Sequence, residues 1–101
     1  MFATVRRYEG LSEPTVAALR ERAAEIATVL GSVPGIGGWQ LIRTRDGVIV
    51  VTLGDDEASL VEAGRRFVAW LEARVRGFRR RAQPEVWAGE VLIRDIQVGT
   101  R

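Results

Sequence analysis

Arg6 and Tyr8 stand two residues apart in "FATVRRYE". Successive strand residues alternate faces, so both side chains leave the same side of a strand. That pairing can hold an anion. The guanidinium brings a fixed charge and a planar fork of donors, and the phenol adds a hydroxyl that donates or accepts. A tyrosine at a strand end equally suits half-buried packing. The third candidate is Arg43 in "WQLIRTR", on a face with Trp39, Leu41 and Val50. A charge on an apolar face must be paired. Its partner is either a ligand carboxylate or enolate, or a protein acid such as Glu90. Trp39, Trp70 and Trp87 are the expected walls of a pocket, with plain packing as the competing role for each.

What is missing narrows the chemistry further. The 101 residues contain no histidine, cysteine, lysine or asparagine, and Met1 is the only methionine. Disulfides and thiol catalysis are excluded, as are imidazole ligation of haem and most zinc sites. No tight haem, flavin or metal site is expected. All fifteen basic residues are arginine, against thirteen acids, for a net charge of +2. Five arginines crowd "RVRGFRRR" around Phe78. A nucleic-acid surface needs a basic face with stacking aromatics, but Glu62, Glu72 and Glu85 lie close by, so a solvated helix end is the expected reading. No apolar run approaches the ~20 residues of a membrane span, and "MFATVRRYEG" lacks a signal-peptide core. The cytoplasm is the expected compartment, and residues 1–101 are expected to form one domain.

The stretch "VPGIGGWQ" invites a dinucleotide-binding reading, which requires a strand before the glycines and a helix after them. Here the order is reversed. Gln40 occupies the place of the last glycine, and no lysine is present for a phosphate loop. "PGIGG" is therefore read as a turn that leads into a strand.

These residues need elements to position them. Residues 2–9 read as a strand, rich in residues that favour a pleated surface. "SEPTVAALRERAAEIATVLG" reads as one helix capped by Ser12, with Val16, Leu19, Ala23, Ile26 and Leu30 in a stripe and Gly31 as a left-handed cap. "WQLIRTR" and "VIVVTL" flank Asp46–Gly47, a strong hairpin signal. The expected register sets Arg45 against Val48 and Arg43 against Val50. One hairpin face then carries Trp39, Leu41, Arg43, Val48 and Val50, and the other carries Ile42, Ile49, Val51 and Leu53. Both are largely apolar, so the sheet is expected to be covered on both sides. A second helix follows, capped by Asp55 or Asp56, with Leu60, Gly64, Phe67, Leu71 and Val75 inward and Trp70 one position off that stripe. "EVWAGEVLIRDI" is the last strand. The order β-α-β-β-α-β predicts an α+β, ferredoxin-like domain with a four-stranded antiparallel sheet and both helices on one face.

"SVPGIGGWQLIRTRDGVIVVTLGDDEAS" resembles the central segment of the dimeric α/β-barrel superfamily, especially its small antibiotic-biosynthesis-monooxygenase-like proteins. There a Pro-Gly turn enters the second strand, a "DG" hairpin follows, and an acidic turn opens the next helix. "ATVRRYEG" and "PEVWAGEVLI" are similar to the ends of those chains. The resemblance implies a homodimer joined through its sheets. It also implies a small apolar or aromatic ligand, bound or oxidised without a cofactor, as by a monooxygenase of aromatic or polyketide-like substrates. Haem-degrading members hold iron with a histidine, which this chain lacks. Cofactor-free oxygenases of the group use Asn, Trp, Tyr and Arg near the substrate. Asn is absent here, which leaves Arg43, Arg6 and Tyr8, with Trp39, Trp70 and Trp87 as walls. The alternative expectation is a non-catalytic dimerisation or ligand-binding module.

Overall fold

A computed structural model describes residues 1–75 and 84–95. The elements are β1 (Phe2–Glu9), α1 (Glu13–Glu21), α2 (Ala23–Gly31), β2 (Ile36–Arg43), β3 (Gly47–Gly54), α3 (Glu57–Arg74) and β4 (Glu85–Glu90). The four strands form one antiparallel sheet in the order β2-β3-β1-β4. The helices lie on one side of it, as the α+β, ferredoxin-like reading expects.

α3 follows its expected pattern closely. Asp56 caps it by accepting from the Ser59 amide, which answers one of the free N–H groups of the first turn. Leu60, Ala63, Gly64, Phe67 and Leu71 are buried, and Val75 joins them just past the end. Ala63, Phe67, Leu71 and Val75 pack with Tyr8, Leu19, Ile26, Leu30, Val33, Val48 and Val50 in one apolar cluster.

The first helical stretch departs from expectation. It is two helices, not one, broken at Arg22, whose backbone (φ −101°, ψ 25°) leaves the helical region. The Arg22 amide turns back to the Leu19 carbonyl, closing α1 with a tighter i→i−3 bond. Ser12 does cap α1. Gly31 is not left-handed, because α2 ends on Ser32 in a right-handed conformation.

The hairpin is also displaced. Arg43 pairs with Val48, Leu41 with Val50 and Trp39 with Thr52, with Arg45 and Asp46 at the turn. The expected register was therefore off by two residues. A slip of two leaves every side chain on its own face, so the two face sets stand as read. Gly47 explains the error. It is a strand residue with no positive φ, and an added Cβ would meet the Tyr8 carbonyl oxygen at 1.8 Å. Its missing side chain serves the close approach of β3 to β1, not the turn. β2 likewise starts inside "GIGG", after a turn at Gly35 (φ 93°), and carries a bulge between Ile36 and Gly38. β4 stops at Glu90, five residues or more short of the expected strand.

Phe2, Thr4, Arg6 and Tyr8 share the helix-covered face with Val48, Val50 and Thr52, and with Trp39, Leu41 and Arg43. The opposite face carries Val5, Ile49, Val51, Leu53, Ile42 and Trp87. No described helix covers it. Among the described residues no helix is long and apolar enough to cross a membrane.

Candidate functional site

β1 presents Arg6 and Tyr8 to the helices from adjacent positions on one face. The Arg6 guanidinium lies against α3 at Gly64, where an added Cβ would sit 2.1 Å from its Nη2 atom. Gly64 therefore makes room for a charged group in a layer that is otherwise apolar. Among the described residues, no carboxylate forms an ion pair with Arg6. Tyr8 is 1% exposed. Burial pushes its phenol pKa above the usual value of 10.0, while the Arg6 charge and an Arg6 hydrogen bond pull the other way. The net shift is upward, so the phenol is held as a neutral hydroxyl beside a cation.

Arg43 lies on the same face. Arg43, Val48 and Tyr8 form a row across three strands, which sets Arg43 about 10 Å from Tyr8 along the sheet. Arg43 is exposed and pairs with Glu13 at the start of α1. The expected acid, Glu90, stands opposite Phe2 on the far edge strand. Two strands, β3 and β1, lie between β4 and the strand of Arg43, so that pair cannot form. Glu90 is also displaced from Arg6 by the length of strand between Phe2 and Arg6.

The tryptophans diverge. Trp39 and Trp70 pack against the covered core. Trp70 stacks on Phe67 with ring centroids 6.1 Å apart and donates its indole N–H to Glu25 at 3.2 Å. That bond and the Arg22 guanidinium hold the Glu25 carboxyl below its usual pKa. Trp87 is half exposed on the opposite sheet face, so it does not line the interior that Arg6 enters. Of the basic cluster, Arg76, Arg79, Arg80 and Arg81 lie outside the described residues, as does Phe78.

Two hollows flank α1. One of about 480 Å³ lies between α1 and the end of α3, lined by Thr15, Ala18, Arg22, Glu72, Arg74 and Val75. The other, of about 340 Å³, lies between α1 and the hairpin, with Val16, Ala17, Leu41 and Val48 as walls and Glu13, Arg20 and Arg43 at its edge. The sequence reading did not single out Thr15, Arg22 or Arg74. A signal existed: Thr15, Ala18 and Arg22 follow helical spacing beside the core stripe. The role of Gly64 was also missed, although a glycine inside a helix stripe implies a close neighbour.

No family model matches this chain, and no curated protein matches it by sequence. Solved structures do. A MhuD variant with two manganese protoporphyrin IX bound per active site superposes with a TM-score of 0.71 at 19% identity, over 96% of this chain and 99% of that one. A candidate antibiotic biosynthesis monooxygenase from Nitrosomonas europaea gives 0.64 at 12% identity, over 92% and 100%. A dimeric ferredoxin-like protein from an uncultured marine organism gives 0.63 at 10% identity, over 95% and 98%. The chain thus has the α+β ferredoxin-like fold of the antibiotic-biosynthesis-monooxygenase-like proteins. This is the fold that the "SVPGIGGWQLIRTRDG" resemblance implies.

Proposed function

We propose that this protein binds a small apolar or aromatic molecule with an acidic oxygen between its sheet and helices, and oxidises it as a cofactor-independent monooxygenase. The observation that carries this reading is the Arg6 guanidinium, turned under α3 beside a buried phenol with no carboxylate paired to it among the described residues. A half-buried cation that meets a neutral phenol but no described carboxylate lacks a countercharge, and an anionic ligand would supply one.

The chemistry asks little of the protein. A phenol or enol must become its anion, which can give an electron to oxygen. A positive charge in a dry site lowers the substrate pKa and favours the anion. Arg6 supplies the charge, and Tyr8, as a neutral hydroxyl, donates a hydrogen bond to the same oxygen. Oxygen adds at carbon to give a hydroperoxide. Loss of water then leaves a carbonyl where the substrate had a CH2, so one oxygen atom ends in product and the other in water. Glu90 is too far along the sheet to take the first proton, so the reading requires a substrate that is already acidic. Arg43, engaged with Glu13, stands at the edge of the hairpin-side hollow.

The porphyrin in the MhuD variant raises the question of haem. The residues here do not fit an iron ligand. The chain has neither imidazole nor thiol, and burial holds the Tyr8 phenol protonated. No step is assigned to haem.

The uncovered sheet face supports a homodimer as the working unit. Val5, Ile49, Val51 and Leu53 form an apolar surface with Ile42 and Trp87 at its margins, and a second copy would bury it. Oxygen uptake with anthrone-type and hydroquinone substrates tests the activity. Wild type should consume oxygen faster than buffer, Arg6→Ala should lose this, and Arg43→Ala should largely keep it. Uptake at the buffer rate, with unchanged tryptophan fluorescence on adding those compounds, would leave a non-catalytic module.

A further inference from the structure

We propose that α1 is a lid over the Arg6–Tyr8 interior, hinged at Arg22 and latched by Glu13 on Arg43. The inference rests on the reading of that interior as a ligand site and concerns how the ligand enters. Three observations carry it.

The first is the break at Arg22. α2 is fixed to α3 by the Trp70–Glu25 bond and by Arg66, whose guanidinium reaches the Ser32 hydroxyl at 2.9 Å. The Arg22 side chain itself bonds Glu25 at 2.7 Å, on the α2 side. α1 begins beyond that anchored point, and its helix is not continuous with α2. At its other end the Leu11 amide bonds the Asp46 carbonyl at 3.1 Å. α1 is therefore a separate segment, joined to α2 at Arg22 and held to the hairpin at its other end by this bond and the Glu13–Arg43 pair.

The second is how little α1 buries. Thr15 and Leu19 are its only buried residues; α2, of equal length, also buries two, both of them apolar, and α3, twice as long, buries five. The two hollows described above run along its two sides, so it has open space on both flanks. Elements with few buried apolar contacts open at lower free energy than the global fold.

The third is what lies beneath. The Arg43–Val48–Tyr8 row crosses the sheet under α1, and Val48 forms a wall of the hairpin-side hollow. Tyr8 is nearly inaccessible. A ligand that reaches its hydroxyl must displace something, and α1 packs less extensively on the other elements than α2 and α3 do. The Glu13–Arg43 pair sits at the end of α1 away from the hinge, where one contact holds the lid best. Being exposed, that pair is weak and sensitive to salt, as a releasable latch needs to be.

Tyr8 is the only tyrosine, so its nitration by tetranitromethane reads access without any ligand. The chain has no cysteine, so Glu13→Cys with Arg43→Cys can be bridged by a short bis-maleimide, with both thiols singly capped as the open control. We expect nitration to be about tenfold slower in the bridged form than in the capped form, the size a local opening commonly governs. Glu13→Gln and added salt should speed it. Hydrogen exchange should show α1 amides opening before those of α2 and α3. Equal nitration of bridged and capped protein, or α1 exchanging in step with α2 and α3, would overturn the lid. If the lid behaves as proposed but neither wild type nor Glu13→Gln takes up oxygen or binds the test compounds, the proposed function fails and the lid stands.

Discussion

The two faces of the sheet use the same strands for opposite ends. On the covered face, Arg6, Tyr8 and Arg43 interrupt an otherwise apolar layer, and each needs an account of its partner. On the open face, Val5, Ile49, Val51 and Leu53 form an apolar centre with Arg7, Glu85 and Gln40 beside it, and it is the surface itself that needs a partner. Polar groups within the helix-covered layer on one face and a partly exposed apolar centre on the other are the two observations that depart from a simple helix-on-sheet domain. Under the proposed function, ligand chemistry belongs to one face and assembly to the other.

The largest expected effect lies in the layer that both roles depend on. Phe67 packs at the centre of the covered core and stacks on Trp70. Phe67→Ala should cost about 3–5 kcal/mol, the usual range for emptying an aromatic core site, read as a lower urea midpoint. A loss below ~1 kcal/mol would mean that the helices are not seated on the sheet as described.

The open face gives the next effect. Val51→Asp places a charge in the middle of the apolar surface. In a monomer this exposed charge changes little. In a dimer joined there it is buried unpaired, which costs several kcal/mol. Light scattering should show twice the chain mass for wild type and the single mass for the variant. Wild type running as a well-folded monomer would remove the assembly half of the contrast.

How much of this was legible in the sequence follows from what period and spacing encode. Face membership was legible along the hairpin, because alternation survives a register slip of two, but not for Trp87, expected in a pocket wall and found on the opposite face. The register itself was not legible, because Asp46–Gly47 carries a turn signal while Gly47 answers a different demand, the Tyr8 carbonyl packed against it. The break at Arg22 left no glycine or proline to mark it. The α3 stripe, Gly64 included, was legible, but that Gly64 seats Arg6 needs two elements brought together. The partner of Arg43 was unreadable for the same reason. Glu13 and Glu90 are both acids, and only the strand order separates them.

Arg6 allows a finer test of the covered face. If its charge is kept for a ligand, it should cost the empty protein. Arg6→Met retains most of the volume and removes the unpaired charge. It should raise stability by about 1 kcal/mol while abolishing fluorescence changes on adding phenolate ligands. A variant that is less stable than wild type would show that Arg6 has a structural partner, and would return the charge to the fold.

The smallest effect is the titration of Tyr8, and its sign can be worked out. Burial raises the folded-state phenol pKa above its usual value of 10.0, and Arg6 only partly offsets this. Below pH 10 both folded and unfolded chains hold the proton, and the Tyr8 contribution to stability is fully present. As the pH passes 10 the unfolded chain releases its proton first. The unfolded state then binds fewer protons than the folded state, so stability falls with rising pH until the folded phenol also ionises. Tyr8→Phe should flatten this alkaline fall while leaving neutral stability close to wild type. Because Tyr8 is the only tyrosine, phenolate absorbance follows it alone, and its midpoint in the folded protein should lie above 10. Arg6→Met, which removes the opposing charge and hydrogen bond, should move that midpoint higher still. A midpoint that ignores Arg6→Met would mean that the two side chains do not meet under α3, and the covered face would lose its pairing of cation and phenol.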